Sequence, residues 1–160
     1  MKQISSLLDG VHEYALVKRM TTQPKRMKEA YECKLTKEQA ITLLVILMDE
    51  WPRYVSPHLK LSSKPLKVYW NKKNGKARGG YFLSKDLTMR PFLRLPEKGL
   101  TAGLLLHEYC HVVTIYSEVE TRKSKKNRRH SPHGETFRNV FDIMLAMHKE
   151  DWISVTKESS

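Results

Sequence analysis

The sequence predicts a single α+β domain in which a small three-stranded sheet, antiparallel or mixed, packs on one apolar helix, with additional N- and C-terminal helices. Apolar residues recur at helical spacing in four segments, 4–20, 36–51, 100–116 and 135–148. Between the second and third of these segments the period falls to two in short stretches bounded by Gly, Pro and Asn, as is typical of strands. A chain of 160 residues is long enough for one domain with a substantial core and too short for two ordinary ones.

The N-terminal third is expected to hold two helices joined by a connector. The first helix spans residues 4–20, and the helical pattern is then lost around Pro24 in a basic stretch, so we expect a solvated connector with nucleic-acid contact as the alternative. Thr36-Lys37-Glu38-Gln39 is a capping box that predicts the start of the second helix, and Pro52 predicts its end. The resulting division is an N-terminal helix and connector over 1–34, the main domain over 35–150, and a tail over 151–160, of which residues 153–160 are expected to be frayed.

Two strands are predicted on either side of a turn in the middle of the chain. Residues 66–70 alternate between apolar and polar side chains and lead into the turn 71–75, and a second arm follows over 77–83. Gly79 and Gly80 lie within this second arm. Adjacent glycines in a strand indicate a bulge or the close approach of another backbone.

A third short strand is predicted over residues 92–95. It lies between Pro91 and Pro96, which favours an edge strand because proline has no amide donor to give to a neighbour. Such an edge could capture an extended peptide substrate by adding a strand to the sheet. The alternative is an ordinary strand covered by a loop.

The composition favours a polyanionic partner. Twenty-nine Lys and Arg residues against 17 Asp and Glu give a formal net charge of +12, which suits nucleic acid, although solubility alone could explain it. With no apolar run of membrane-spanning length and no secretory signal, we expect a cytoplasmic protein without a membrane partner, nucleoid-associated or nuclear if it binds DNA. The two cysteines, Cys33 and Cys110, exclude a four-cysteine zinc site.

The apolar segment 100–116 carries the pentapeptide His107-Glu108-Tyr109-Cys110-His111. On a helix, residues four apart lie on one face, so His107 and His111 can bind one metal ion with Glu108 beside it. The pattern predicts a hydrolytic zinc site. The structural alternative is a buried helix whose histidines only pack or form hydrogen bonds.

Local signals in the same segment also predict a helix. Thr101 is the expected N-cap, and Gly103 is the one residue that weakens the helix. Cys110 is expected to be a small buried residue, with a catalytic thiol as the minor alternative.

One zinc ligand is missing from the pentapeptide, because catalytic zinc takes three protein ligands and keeps a fourth position for water. The metzincin pattern is excluded, since Thr114 and Ser117 stand where it requires Gly and His. Three candidates lie at the entry to the last predicted helix. They are His130, His133 and Glu135, the last of which a thermolysin-like site would use.

Four features follow one another along the chain: a Gly-Gly strand, an Arg-Leu-Pro strand, the His-Glu-x-x-His helix and then His133-Gly134-Glu135-Thr136-Phe137. In this combination the chain resembles the SprT-like zinc metalloproteases, the family that includes Spartan. The resemblance covers Leu66 to Met147. It implies a zincin-like fold, His133 as the third zinc ligand, and a DNA-associated protease that degrades proteins crosslinked to DNA. The chain lacks the C-terminal four-cysteine module of the bacterial type and has an unusually basic insert between the second and third ligands.

In the mechanism that this resemblance implies, His107, His111 and His133 hold one Zn2+ ion. Glu108 accepts the proton of the attacking water and passes it to the leaving amine. The basic insert is expected to be a solvent-facing loop whose phosphate contacts bring single-stranded or duplex DNA close to the cleft. Its cations are Arg122, Lys123, Lys125, Lys126, Arg128 and Arg129.

Two alternative functions stay open at this point. One is a metallopeptidase with a specific protein substrate unrelated to DNA, and the other is a non-catalytic nucleic-acid-binding module in which zinc is structural. Tyr109 and Tyr116 are the nearest phenols to the motif, but no spacing argument assigns either of them to the oxyanion. The oligomeric state and the cleavage preference do not follow from the sequence.

Overall fold

The structure, a computed structural model, describes residues 23–51, 65–72, 76–83, 88–114 and 134–157. Within these ranges the chain forms five helices and a three-stranded mixed sheet, which confirms the α+β class. The predicted helix over 4–20 and the basic insert lie outside the described residues. In chain order the elements are α1 (Gln23–Glu32), α2 (Lys37–Glu50), β1 (Lys67–Asn71), β2 (Arg78–Leu83), β3 (Met89–Pro96), α3 (Ala102–Val113), α4 (Glu135–Met147) and α5 (Lys149–Lys157).

The sheet has the order β1-β3-β2, so β3 is its central strand. Strand β1 runs parallel to β3 and β2 runs antiparallel to it. The predicted edge position of residues 92–95 is therefore wrong. The two strands on either side of the turn, β1 and β2, each pair with β3 and not with each other. Pro91 is paired with β2 alone and Pro96 with β1 alone, so neither proline interrupts the central stretch where β3 is paired on both sides.

Helix α3 is the centre of the domain. It contacts α1, α2 and α4 as well as strands β2 and β3. Its residues Leu105 and Leu106 have no solvent exposure, and Leu93 and Leu95 of β3 are equally buried in the same core cluster. The expectation that the motif segment forms a helix surrounded by the rest of the domain is confirmed.

Both predicted helix starts are confirmed. The Thr36 hydroxyl accepts a hydrogen bond from the Gln39 amide at 3.2 Å, and the Gln39 side chain accepts one from the Thr36 amide at 2.8 Å. At the start of α3, the Thr101 hydroxyl accepts from the Leu104 amide at 3.2 Å. Each cap satisfies amide donors that have no partner within the helix.

Two segments that were predicted to lack structure are helical. The expected connector contains α1, in which Pro24 occupies the first turn, where its missing amide donor costs no intrahelical bond. Helix α5 includes residues 153–157 of the segment expected to be frayed, and its Trp152 is 2% exposed. An ion pair of 3.0 Å between Glu29 and Lys149 joins these two helices. Their order therefore comes from contacts with each other and with the core, which the local pattern does not reveal.

The described ranges include no helix that is long and apolar enough to cross a membrane.

Candidate metal and catalytic site on helix α3

The two motif histidines lie on successive turns of α3 with their rings close together. The ring centroids of His107 and His111 are 5.1 Å apart, and the ring planes are inclined at 76°. Two imidazoles that share a tetrahedral zinc ion, each with a Zn–N distance of about 2.1 Å, would have ring centroids about 5 Å apart. The pair therefore fits two ligands of one zinc ion.

Glu108 lies beside this pair and is buried, with 8% of its surface exposed. Its Oε1 atom is 4.0 Å from Nε2 of His107. Burial raises the pKa of Glu108, while a hydrogen bond from the Gly79 backbone amide and the positive charge of Arg78 lower that pKa in part. The carboxyl group is thus fixed next to the two histidines of α3 by a donor from β2.

Strand β2 makes the close approach to α3 that the adjacent glycines predict. A Cβ atom added to Gly79 would collide with the carbonyl oxygen of Glu108, and it would lie 3.2 Å from Cβ of His111. Only glycine allows the strand to touch the helix at this turn. The same short distance brings the Gly79 amide within reach of the Glu108 carboxylate.

Tyr31 of α1 is a site residue that the sequence did not predict. Its hydroxyl is 3.4 Å from Nδ1 of His107. Burial, followed by the charge of Glu108, raises the pKa of Tyr31, so the phenol stays protonated at neutral pH. With Nδ1 beside Tyr31, Nε2 is the His107 nitrogen on the side of Glu108, where a metal would bind.

Gly103 explains how Tyr31 reaches this position. A Cβ atom at residue 103 would lie 2.6 to 2.9 Å from three carbon atoms of the Tyr31 ring. The glycine that was expected only to weaken α3 therefore makes room for a ring from α1. A glycine inside an otherwise apolar helix was the signal in the sequence that a side chain from elsewhere packs across it.

Two aromatic residues of α4 cover the histidines on another side. Phe137 lies 4.5 Å from His111 and 5.0 Å from His107 between ring centroids, and Phe141 lies 5.5 Å from His107. Both phenylalanines are almost fully buried. Their packing restricts rotation of the two imidazoles, which is the preorganisation that a metal site needs.

The third predicted ligand, His133, lies outside the described residues, and so does its alternative His130. Gly134 is the N-cap of α4, and the first turn of this helix brings Phe137 onto both histidines. Glu135 is described and exposed. Across the described ranges no three His, Cys, Asp or Glu residues form a group that could hold a metal ion, so Glu135 forms no such group with the motif histidines.

Two other residues of the pentapeptide have structural roles. Tyr109 is buried and its hydroxyl donates a 2.6 Å hydrogen bond to the Trp51 carbonyl oxygen, which links α3 to the end of α2. Cys110 is fully buried and its thiol contacts the Phe137 carbonyl oxygen at 3.5 Å. Burial, with the charges of Asp142 and Glu108, raises the pKa of Cys110 well above its ordinary value, so the thiolate needed for nucleophilic catalysis does not form. Tyr116 lies outside the described residues.

A scan of the sequence against protein-family models gave no match, and searches of curated proteins and of solved structures likewise found no similar chain. The resemblance to SprT-like metalloproteases stays a prediction that rests on the motif residues.

Proposed function

We propose that the protein is a zinc-dependent endopeptidase of the SprT-like type, in which His107, His111 and His133 bind the metal and Glu108 is the general base. One observation carries the proposal. The two α3 histidines have the ring separation of a shared zinc ion, and a buried carboxyl group on the same turn is held beside them by an amide of β2. A helix whose histidines served only for packing would not need a buried carboxyl group at this position.

A zinc ion bound there would supply a Lewis acid that polarises the peptide carbonyl and lowers the pKa of water to about 7. Glu108 then accepts a proton from the attacking water as the water oxygen bonds to the carbonyl carbon. As the C–N bond breaks, Glu108 gives this proton to the leaving amine. Gly79 keeps the carboxylate oriented for both transfers through its amide hydrogen bond.

The strand that could bind an extended substrate is β2. It has a partner, β3, on one side in the described sheet, and it touches α3 at Glu108. A peptide that paired with β2 would lie beside the catalytic carboxylate. The central strand β3 cannot do this, because both of its edges are already paired.

Association with DNA is the second part of the proposal, and it rests on the net charge of +12 and on the resemblance. The substrates would then be proteins bound or crosslinked to DNA. The competing functions give different results in an assay of proteolysis with no DNA, single-stranded DNA and duplex DNA. A peptidase unrelated to DNA would cleave equally in all three, and a non-catalytic zinc module would cleave in none.

The catalytic part is tested with Glu108→Gln, which keeps the size of the side chain and removes its basicity. We expect this variant to bind zinc as the wild type does and to lose peptidase activity by about 10²- to 10⁴-fold, the usual contribution of general acid–base catalysis. Glu150→Gln, an exposed site on α5, is the matched control and should be fully active. Normal turnover in Glu108→Gln would rule out the mechanism.

The metal ligands are tested by the zinc content of His133→Ala, His130→Ala and Glu135→Ala, each purified in parallel and measured by elemental analysis. We expect zinc to be lost only in His133→Ala. Loss only in Glu135→Ala would instead assign the protein to a thermolysin-like group.

A further inference from the structure

The sheet has a second face, turned away from helix α3, with an unusual composition. Side chains alternate along each strand, and Gly79, Leu93 and Leu95 belong to the face that packs on α3. The register places the residues between them on the opposite face, which we call the outer face. Its members are Lys67, Tyr69 and Asn71 of β1, Arg78, Gly80 and Phe82 of β2, and Arg90, Phe92 and Arg94 of β3.

Three aromatic rings form a cluster in the middle of the outer face. Phe82 stacks on Phe92 with 4.4 Å between ring centroids and 19° between ring planes, and Tyr69 meets both rings edge-on at 6.1 and 6.3 Å. The Phe92 ring lies against Gly80, where an added Cβ would be only 3.2 Å from it. Phe92 is thereby buried outside the main core, while Phe82 is 42% exposed. An exposed ring stacked on a fixed one is a platform on which a further planar group can stack.

The charged residues that the described strands place around this cluster are all positive. The Lys67 ammonium and the Arg94 guanidinium lie 5.5 and 5.9 Å from the Tyr69 ring centroid. Arg78 is directly opposite Arg94 in the pairing of β2 with β3. Like charges that face each other across a sheet destabilise it, and Glu108 lies near Arg78 only, so the pair favours a negatively charged ligand on this face.

The described strands place no acidic residue on the outer face that could neutralise these cations. Glu97, which directly follows β3, forms an ion pair of 3.2 Å with Lys37 instead. Arg90 donates weak hydrogen bonds to the Pro65 carbonyl oxygen, which fixes its guanidinium without removing its charge. Arg78 also acts on the Glu108 carboxyl, whereas the described strands offer Lys67 and Arg94 no acidic partner on this face. The described part of the face therefore combines exposed aromatic surface with an excess of positive charge.

We propose that the outer face of the sheet binds single-stranded nucleic acid. Lys67, Arg78 and Arg94 contact phosphates, and a base stacks on Phe82. The strand must be single because the bases of a duplex are stacked on each other and cannot offer a face to the ring. The inference does not depend on the proposed peptidase activity, although β2 carries both the outer-face residues Arg78 and Phe82 and the Gly79 contact with Glu108.

The test measures fluorescence anisotropy of a labelled single-stranded DNA, an RNA of the same sequence and the matching DNA duplex, over a range of salt concentrations. All proteins carry Glu108→Gln, so that binding is scored without proteolysis and the result is separate from that of the peptidase assay. Phe82→Leu keeps apolar packing on Phe92 but removes the stacking surface. We expect it to weaken single-strand binding about tenfold and to leave the much weaker duplex binding unchanged.

The charge contribution is tested with the double variant Arg78→Ala/Arg94→Ala. Two lost phosphate contacts should reduce the slope of log K against log salt by about 1.4 for a single strand. Lys98→Ala/Arg138→Ala removes the same charge from exposed positions outside the face and should change the slope little. Melting curves verify that each variant is folded.

Four results would overturn the proposal. They are wild-type affinity in Phe82→Leu, equal losses in the two double variants, duplex binding as tight as single-strand binding, and displacement of the single strand by vesicles containing phosphatidylserine. The last would assign the face to an anionic membrane. A difference between the DNA and RNA arms identifies which nucleic acid the face prefers.

Discussion

The substitution Gly79→Ala tests whether the contact between β2 and α3 holds the site together. The added methyl group would collide with the Glu108 carbonyl oxygen, and neither backbone can yield locally. Overpacking of this kind costs about 1–3 kcal/mol. If β2 moves away to relieve the collision, the Gly79 hydrogen bond to the buried Glu108 carboxylate is lost instead, at about 1.5–3 kcal/mol. Alanine recovers about 0.5–1 kcal/mol because it restricts the unfolded chain more than glycine does.

We therefore expect Gly79→Ala to lower the free energy of unfolding by about 2 kcal/mol. For a chain of this size that corresponds to a fall in melting temperature of roughly 4–8 °C. Under the proposed mechanism, peptidase activity should fall further than the folded fraction does, because Glu108, the proposed general base, loses the donor that orients it. Urea denaturation gives the stability, and activity is measured at a temperature where the variant is folded.

Gly80→Ala is the matched control, one residue away on the same strand. Its Cβ would lie 3.2 and 3.3 Å from the far end of the Phe92 ring, which can move by a few tenths of an ångström. The free-energy cost of shifting the ring and the gain from restricting the unfolded chain are then similar, so the stability of Gly80→Ala should stay within about 0.5 kcal/mol of the wild type. Equal stabilities of the two variants would refute the reasoning, since both changes are identical except for what the methyl group meets.

Two further predictions concern the pentapeptide. Tyr109→Phe removes the buried hydrogen bond to the Trp51 carbonyl oxygen and should destabilise the protein by about 1–3 kcal/mol. The turnover number of the folded protein should not change. A large fall in turnover without loss of stability would show that Tyr109 has a catalytic role. Cys110 should resist alkylation in the native protein and react only on unfolding, whereas the partly exposed Cys33 should react first. Mass spectrometry of a timed iodoacetamide reaction measures the order of labelling. Early labelling of Cys110 would contradict its burial.

Features that depend on neighbours along the chain were predictable. The His107, Glu108 and His111 spacing needs only the helical repeat to bring the three side chains together, and the caps at Thr36 and Thr101 act within one turn. The close approach at Gly79 was also predictable, because a missing side chain in a strand indicates that something else occupies its place. What that neighbour was could not be known from the strand itself.

Features that depend on which distant segments meet were decided only by the tertiary structure. Alternation shows which residues of a strand share a face, but it carries no information on strand order, so the central position of β3 could not be read from residues 92–95. Tyr31 reaches His107 across 76 positions of sequence, from a helix whose own pattern is too weak to predict it. The outer face likewise exists only because the register aligns Arg78 with Arg94 and Gly80 with Phe92. Local spacing thus determined which side chains share a face of helix α3, and long-range packing decided what surrounds them.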